Sequence, residues 1–392
     1  MTATLDAPRY PFMTFGFNTS VLHAAEWMRL GEAMSKCEHL AGVPLKPRTA
    51  DELTSIYLAR GVQATTAIEG NTLSEAEVRK IVKEGSAQVP ESRQYLEREV
   101  QNIAKCIGEI DEALKNGHRL RIDVDRLCKL NGEILEGIPD KPEVIPGALR
   151  RHDVHAGNYL APHYTEMPEL TERLVSWLEE LRGMVATTAR REDRFVNAVL
   201  AAILAHLYIA WVHPFGNGNG RLARLIEVQI LSESGVVPIV ATNLLSDFYN
   251  KTRNAYYLAL DDAQRDVTEF ISYALRGFVD ELRDQIGTVR RENLQVHWES
   301  YVYEAFRSKP RTEARDRQRE LALALAEDRP YRPEQIVMID TNLAVKYAQC
   351  GPRIPARDLN DLSKMGLVEK LPGRRYKVLR NKMQAFIPPV AV

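Results

Sequence analysis

From Phe195 to Val212 the chain runs for eighteen residues without a formal charge, close to the length that crosses the hydrocarbon of a bilayer. Such a segment must either enter lipid or be wrapped by other helices. Its alanines, Asn197 and His206 lower its hydropathy, it stands alone in the sequence, and a polar, glycine-rich loop follows at once. A buried central helix with no membrane contact is therefore expected. The remainder must supply amphipathic helices to cover it, which sets the fold class as mainly α.

The loop itself, His213 to Arg224, combines a proton-transfer residue, three glycines at alternate positions (Gly216, Gly218, Gly220) and two arginines. Missing side chains let the backbone approach a ligand closely, so successive N–H groups can converge on phosphate oxygens. Arg221 and Arg224 lie three apart at the start of a helical stretch, where both guanidinium groups are expected to reach one anion beside the helix N-terminus. The imidazole of His213 titrates near neutrality in its unperturbed state, which suits a general base. Gly218 to Ala223 also fits a relaxed dinucleotide fingerprint, but that motif needs a preceding strand and here an apolar helix precedes it.

In order and spacing, His213, Phe215, Gly218, Asn219, Gly220, Arg221 and Arg224 resemble the motif of the Fic (Fido) family. The resemblance implies transfer of a nucleoside monophosphate, usually AMP from ATP, onto a Ser, Thr or Tyr hydroxyl of a protein. It implies His213 as the base, an anion hole from Gly218, Asn219 and Gly220, Arg221 on the outer phosphates and Arg224 on the γ-phosphate. Leu222 and Ala223 complete the nucleotide-binding stretch, and Phe215 pins the loop by burying its ring. Tyr256 and Tyr257 border the adenine pocket by the same resemblance, with helix-core aromatics as the alternative. The family places a magnesium-ligating carboxylate where this chain has Asn217, whose neutral carbonyl oxygen can still coordinate Mg²⁺ or Mn²⁺ but brings it no charge.

Thr65 to Gly70 resembles the inhibitory motif of the class with an N-terminal inhibitory helix, with Glu69 as its carboxylate. A carboxylate in the last helical turn faces the negative end of the helix dipole, and pairing with Arg224 would compensate while withdrawing that arginine from the γ-phosphate. A solvated surface glutamate is the alternative. Val144 to Arg150 resembles the family's flap, an edge hairpin that holds a target peptide by strand addition. His152, His155 and His163 lack a supporting carboxylate or cysteine cluster and read as polar loop residues.

The organisation follows from capping and breaker signals. A helix from Thr49 or Asp51 to Glu69 is stopped by Gly70, and Thr72 with Glu75 forms a capping box for the next. Helices are expected over 98–114, 123–135, 170–182, 194–212, 221–234, 246–263 and from 267 to 294 or beyond. A Pro/Gly-rich hairpin interrupts them between 137 and 168. The tail carries helices over 312–327 and 341–350, then a helix from Pro355 stopped by Gly366 and a basic hairpin. That pattern resembles a winged helix-turn-helix. The expected domains are a helical N-terminal region over 1–115, the Fic core over 116–294 and the winged helix over 295–392.

A formal charge of −1 for the whole chain points to neither nucleic acid nor membrane. From Gly351 onward, however, nine Lys/Arg stand against three acids, so the tail could meet DNA phosphates or serve as a protein-docking module. Four scattered cysteines and an opening segment without signal-peptide character suit a reducing cytoplasm. Three uses of the loop remain open: a self-inhibited adenylyltransferase, the reverse removal of AMP with Glu69 orienting water, and a nucleotide sensor in a DNA-binding regulator. Similar proteins commonly form homodimers, and no symmetric patch is fixed by this sequence.

Overall fold

The computed structural model describes residues 10–157, 159–326 and 328–383. Contacts divide the chain into two compact units, Met1–Ile286 and Gly287–Val392, a division that falls inside one long helix.

In the first unit, α1 (Ala24–Gly42), α2 (Pro47–Ala67), α3 (Glu75–Glu84), α4 (Gln94–Lys115) and α5 (Val124–Ile134) precede the two-residue strands β1 (His155–Ala156) and β2 (Tyr159–Leu160). Then come α6 (Met167–Thr187), α7 (Arg191–Val212), α8 (Asn219–Glu233), α9 (Leu244–Lys251), α10 (Arg253–Asp262) and the start of α11 (Val267–Arg307). The apolar segment is α7, and almost every side chain from Phe195 to Val212 is buried against α6, α8 and their neighbours. Among the described residues, this is the one helix long and apolar enough to cross a membrane. Burial there stabilises the fold by about 1.5–3 kcal/mol for each large apolar side chain enclosed. The packing also fixes where the C-terminal end of α7 delivers the residue after it.

Three local expectations are corrected. The capping box of α3 uses Ser74 and Glu77, not Thr72 and Glu75: Glu77 N–H donates to Ser74 Oγ at 3.3 Å and Ser74 N–H to Glu77 Oε2 at 2.7 Å. The pattern occurs twice in register, and Glu75 is taken by Arg60 at 3.0 Å. The helix expected over 246–263 breaks at Thr252, whose φ of −117° and ψ of 36° leave helical space. Its hydroxyl bonds the Phe248 carbonyl and the Tyr273 hydroxyl instead.

The third correction concerns the flap. Val144–Arg150 forms turns and contributes no strand; the antiparallel hairpin lies later, pairing His155 with Leu160 and Ala156 with Tyr159. Pro142 and Pro146 lack donors, Gly147 takes a φ of +80°, and its N–H goes to Asn131 Oδ1 at 3.0 Å. An edge strand needs those donors free.

In the second unit, α12 (Glu313–Ala324), α13 (Thr341–Ala348) and α14 (Ile354–Lys364) precede the antiparallel pair β3 (Val368–Leu371) and β4 (Arg375–Val378). Leu321, Ile336, Leu359, Leu362, Tyr376 and Val378 share its core. Gly366, at φ +71°, stops α14, and Leu367 N–H reaches back to Leu362 O at 3.0 Å, a Schellman closure.

Candidate active site

The position after α7 is His213, held in the left-handed region at φ 52°, ψ 57° with its N–H on Ile209 O. Glycine normally fills such a cap, and a β-carbon there costs about 1–2 kcal/mol. That conformation turns the ring off the helix axis and over the loop. Nδ1 lies 3.2 Å from Ala210 O; a carbonyl only accepts, so Nδ1 carries the proton and Nε2 presents a lone pair. Burial pushes the imidazole pKa down to about 4, and Arg150 adds to the fall, against the opposing pull of the Ala210 carbonyl and Glu69. The ring is therefore neutral at neutral pH.

Three side chains distant in sequence hold this loop. Arg150, nearly fully buried, donates from Nε to His213 O at 2.8 Å and from Nη1 to His152 O at 3.1 Å, with Nη2 on Pro162 O. Asn131 of α5 donates to Asn217 O at 2.8 Å, and Tyr159 of β2 donates to Trp211 O at 2.7 Å. Within the loop, Asn219 Oδ1 accepts from Phe215 N–H at 3.0 Å and Nδ2 donates to Phe215 O at 2.8 Å, while the Phe215 ring is fully buried. The Asn219 side chain is thus a structural clasp. What it offers a ligand is its amide.

Gly218, at φ +82°, caps α8, and the amides of Asn219, Gly220 and Arg221 stand in the first turn, beyond reach of any intrahelical carbonyl. The helix dipole adds positive potential at the same point. Glu69 lies directly over it. A Cβ built on Gly220 would fall 2.6 Å from Glu69 Oε1 and 3.2 Å from Arg224 Nη1, so only glycine permits this approach. Arg224, almost completely buried, donates from Nη2 to Glu69 Oε1 at 2.7 Å and to Thr65 O at 3.0 Å. Its Nε and Nη1 have no hydrogen-bond partner among the described residues. Burial alone would raise the Glu69 pKa, but Arg224 and Arg221 outweigh it and hold the carboxyl below its ordinary value.

Glu69 sits just past the end of α2 rather than in its last turn: Ala67 is the last helical residue, and Gly70 closes the turn at φ +102°. Its carboxylate pairs with Arg224 beside Gly220 of α8, and Arg224 also reaches the Thr65 carbonyl of α2.

His213, Glu69, Gly220, Arg224, Tyr256 and Tyr257 line one cavity of about 730 Å³. The other expected side chains are not brought to it. Leu222 and Ala223 are fully buried in the core. Arg221 points to Glu99 of α4, Nη1 to Oε1 at 2.5 Å, and to Asn217 Oδ1 at 3.2 Å. Three residues along a helix leave two long side chains roughly 60° apart, enough for these arginines to take separate carboxylates. Burial holds the Glu99 carboxyl above its ordinary value, and the pull of Arg221 and Asn71 only partly offsets it.

Asn217 Oδ1 accepts from Gly218 N–H at 2.6 Å as well as from Arg221, while Nδ2 donates to Asp140 at 2.6 Å. Both lone pairs of that oxygen are committed to donors, so position 217 as arranged does not fit a hard dication. Among the described residues, no cluster of three or more His, Cys, Asp or Glu could hold a metal ion.

A profile of the Fic/DOC family matches residues 121–231, from just before α5 through most of α8. This chain carries a Fic domain. The Fic domain and its surroundings are similar to the protein adenylyltransferase fic-1 of Caenorhabditis briggsae, 28% identical over 238 residues, 60% of this chain and 42% of that protein. Protein adenylyltransferase Fic of Culex quinquefasciatus is 26% identical over 210 residues, 53% of this chain and 38% of that protein. The chain therefore spans less than half the length of these relatives. Among solved structures, a Fic family protein from Desulfovibrio desulfuricans superposes with a TM-score of 0.54 at 21% identity, covering 91% of this chain and 97% of the other. Fic-1 of Caenorhabditis elegans gives 0.53 at 23% identity, covering 70% and 75%. At that identity the superpositions speak to the fold alone.

Proposed function

We propose that this chain transfers an adenylyl group from ATP to a Ser, Thr or Tyr hydroxyl of a protein, and that Glu69 restrains the reaction. The observation that carries the reading is the Glu69–Arg224 pair packed against Gly220 at the start of α8, in the wall of a cavity with room for a nucleotide. An oxyanion that fits Glu69 there marks a place for a phosphate.

In this reading His213 Nε2 takes the hydroxyl proton as the oxygen attacks the α-phosphorus, and pyrophosphate leaves. Backbone amides already oriented at the α8 N-terminus stabilise the charge that builds on phosphate oxygens, at no cost in reorganisation. Arg224 receives the γ-phosphate once Glu69 has left. No step is assigned to a metal at Asn217. The relatives named protein adenylyltransferase support the reaction class.

Label position tests the reaction. Incubated with ATP labelled on the α-phosphate, the Glu69→Gly variant is expected to retain label on protein, and with γ-labelled ATP to retain none. Retention of γ-label instead would identify phosphoryl transfer and overturn the reading.

A further inference from the structure

Behind the cavity wall lies a buried polar network that the proposed reaction does not use. His206 stands on α7, seven residues before His213, and Glu227 on α8, three after Arg224; both are fully enclosed. Glu227 Oε1 accepts from the Tyr249 hydroxyl at 3.0 Å, and Glu227 Oε2 faces His206 Nδ1 at 3.4 Å. On the other side of the ring, His206 Nε2 lies 2.9 Å from the Tyr256 hydroxyl. The rings of Tyr249 and Tyr256 stack at 4.9 Å with 25° between planes.

The carboxylate only accepts, so His206 Nδ1 donates toward Glu227, and Nε2 bonds the Tyr256 hydroxyl on the other side of the ring. The hydroxyl of Tyr256 is then committed to the core, and the cavity meets this side chain through its ring. Burial of two ionisable groups without such bonds would be costly. Here every member has a partner, and each bond constrains the tilt of one pocket-lining ring.

We propose that Glu227, His206 and Tyr249 are positioning residues that fix the Tyr256 ring as a platform for the nucleoside part of the bound nucleotide, with no contact to its phosphates. The proposal rests on the cavity being a nucleotide site. The fully buried His206 imidazole thereby gains a role on the helix that leads into the candidate base.

The test compares adenosine and ATP binding by calorimetry in the Glu69→Gly background, with and without Tyr256→Phe, well below the melting transition. Loss of the anchoring hydroxyl is expected to weaken both ligands by the same factor, about tenfold, equivalent to about 1.4 kcal/mol. Tyr249→Phe, which removes a partner of Glu227, is expected to weaken both equally and by less, and it serves if Tyr256→Phe does not fold. Unchanged affinities, a loss confined to ATP, or no adenosine binding to the Glu69→Gly protein would each overturn the proposal. Adenosine binding without adenylyl transfer would instead sink the proposed reaction and leave the platform standing.

Discussion

Glu69→Gly is expected to raise automodification with ATP by about 10- to 100-fold over the wild type. The carboxylate occupies the space above Gly220 and holds Arg224 at 2.7 Å, so a triphosphate must displace it before the γ-phosphate can bond the guanidinium. A charge-assisted hydrogen bond of this kind contributes about 1.5–3 kcal/mol, which converts to that range at 1.4 kcal/mol for each factor of ten. Glycine removes the competitor and adds no bulk, and position 69 already lies outside α2, so the helix keeps its last turn. Glu69→Gln should fall between the two: it keeps a bond to Arg224 and loses the charge. Intact-mass analysis after a fixed incubation measures all three proteins, and equal adenylylation of wild type and variant would remove the inhibitory role.

In the Glu69→Gly background, His213→Ala is expected to lower transfer by about 10²–10⁴-fold, the usual contribution of a general base, while nucleotide affinity changes little. No backbone donor to phosphate is lost, because the amides belong to α8. The pH dependence follows from the environment of the ring. Burial holds its pKa near 4 rather than 6.5, so the base is competent throughout the neutral range and the acid limb of the rate lies below pH 6. Removal of Glu69, which raises the imidazole pKa, cannot move that limb upward. The same shift acts on stability: the folded value is depressed, so the unfolded chain binds more protons between pH 6.5 and about 4. This part of the stability is present above pH 6.5 and is lost as pH falls toward 4. An acid limb centred near 6.5 would place the ring in water rather than against the protein.

The Fic motif was legible because its chemistry is contiguous: the glycine spacing, the imidazole and Arg224 lie within twelve residues, and the apolar period of α7 fixes the element before them. Glu69 was legible as a turn carboxylate even though its helix ends two residues earlier than expected. The clamps were not. Asn131, Arg150 and Glu99 reach the loop across 86, 63 and 122 residues, and a buried asparagine, arginine or glutamate has no local pattern that announces its partner. Arg221 was misdirected for the same reason, since helical spacing says which face it leaves from and not which carboxylate awaits it. The hairpin lies later than the flap expected over Val144–Arg150, because the backbone of Pro146 and Gly147 is given over to turns and to Asn131. His206 lay inside the apolar run, where an isolated histidine looks like a dilution of hydropathy.

On the proposed mechanism Glu69 and the γ-phosphate compete for Arg224. The affinity of ATP relative to ADP, measured calorimetrically for the wild type and for Glu69→Gly, reads that competition. A ratio near one is expected in the wild type and a preference for ATP of about tenfold or more in the variant, the yield of one charge-assisted bond. An equal ATP preference in both proteins would contradict it.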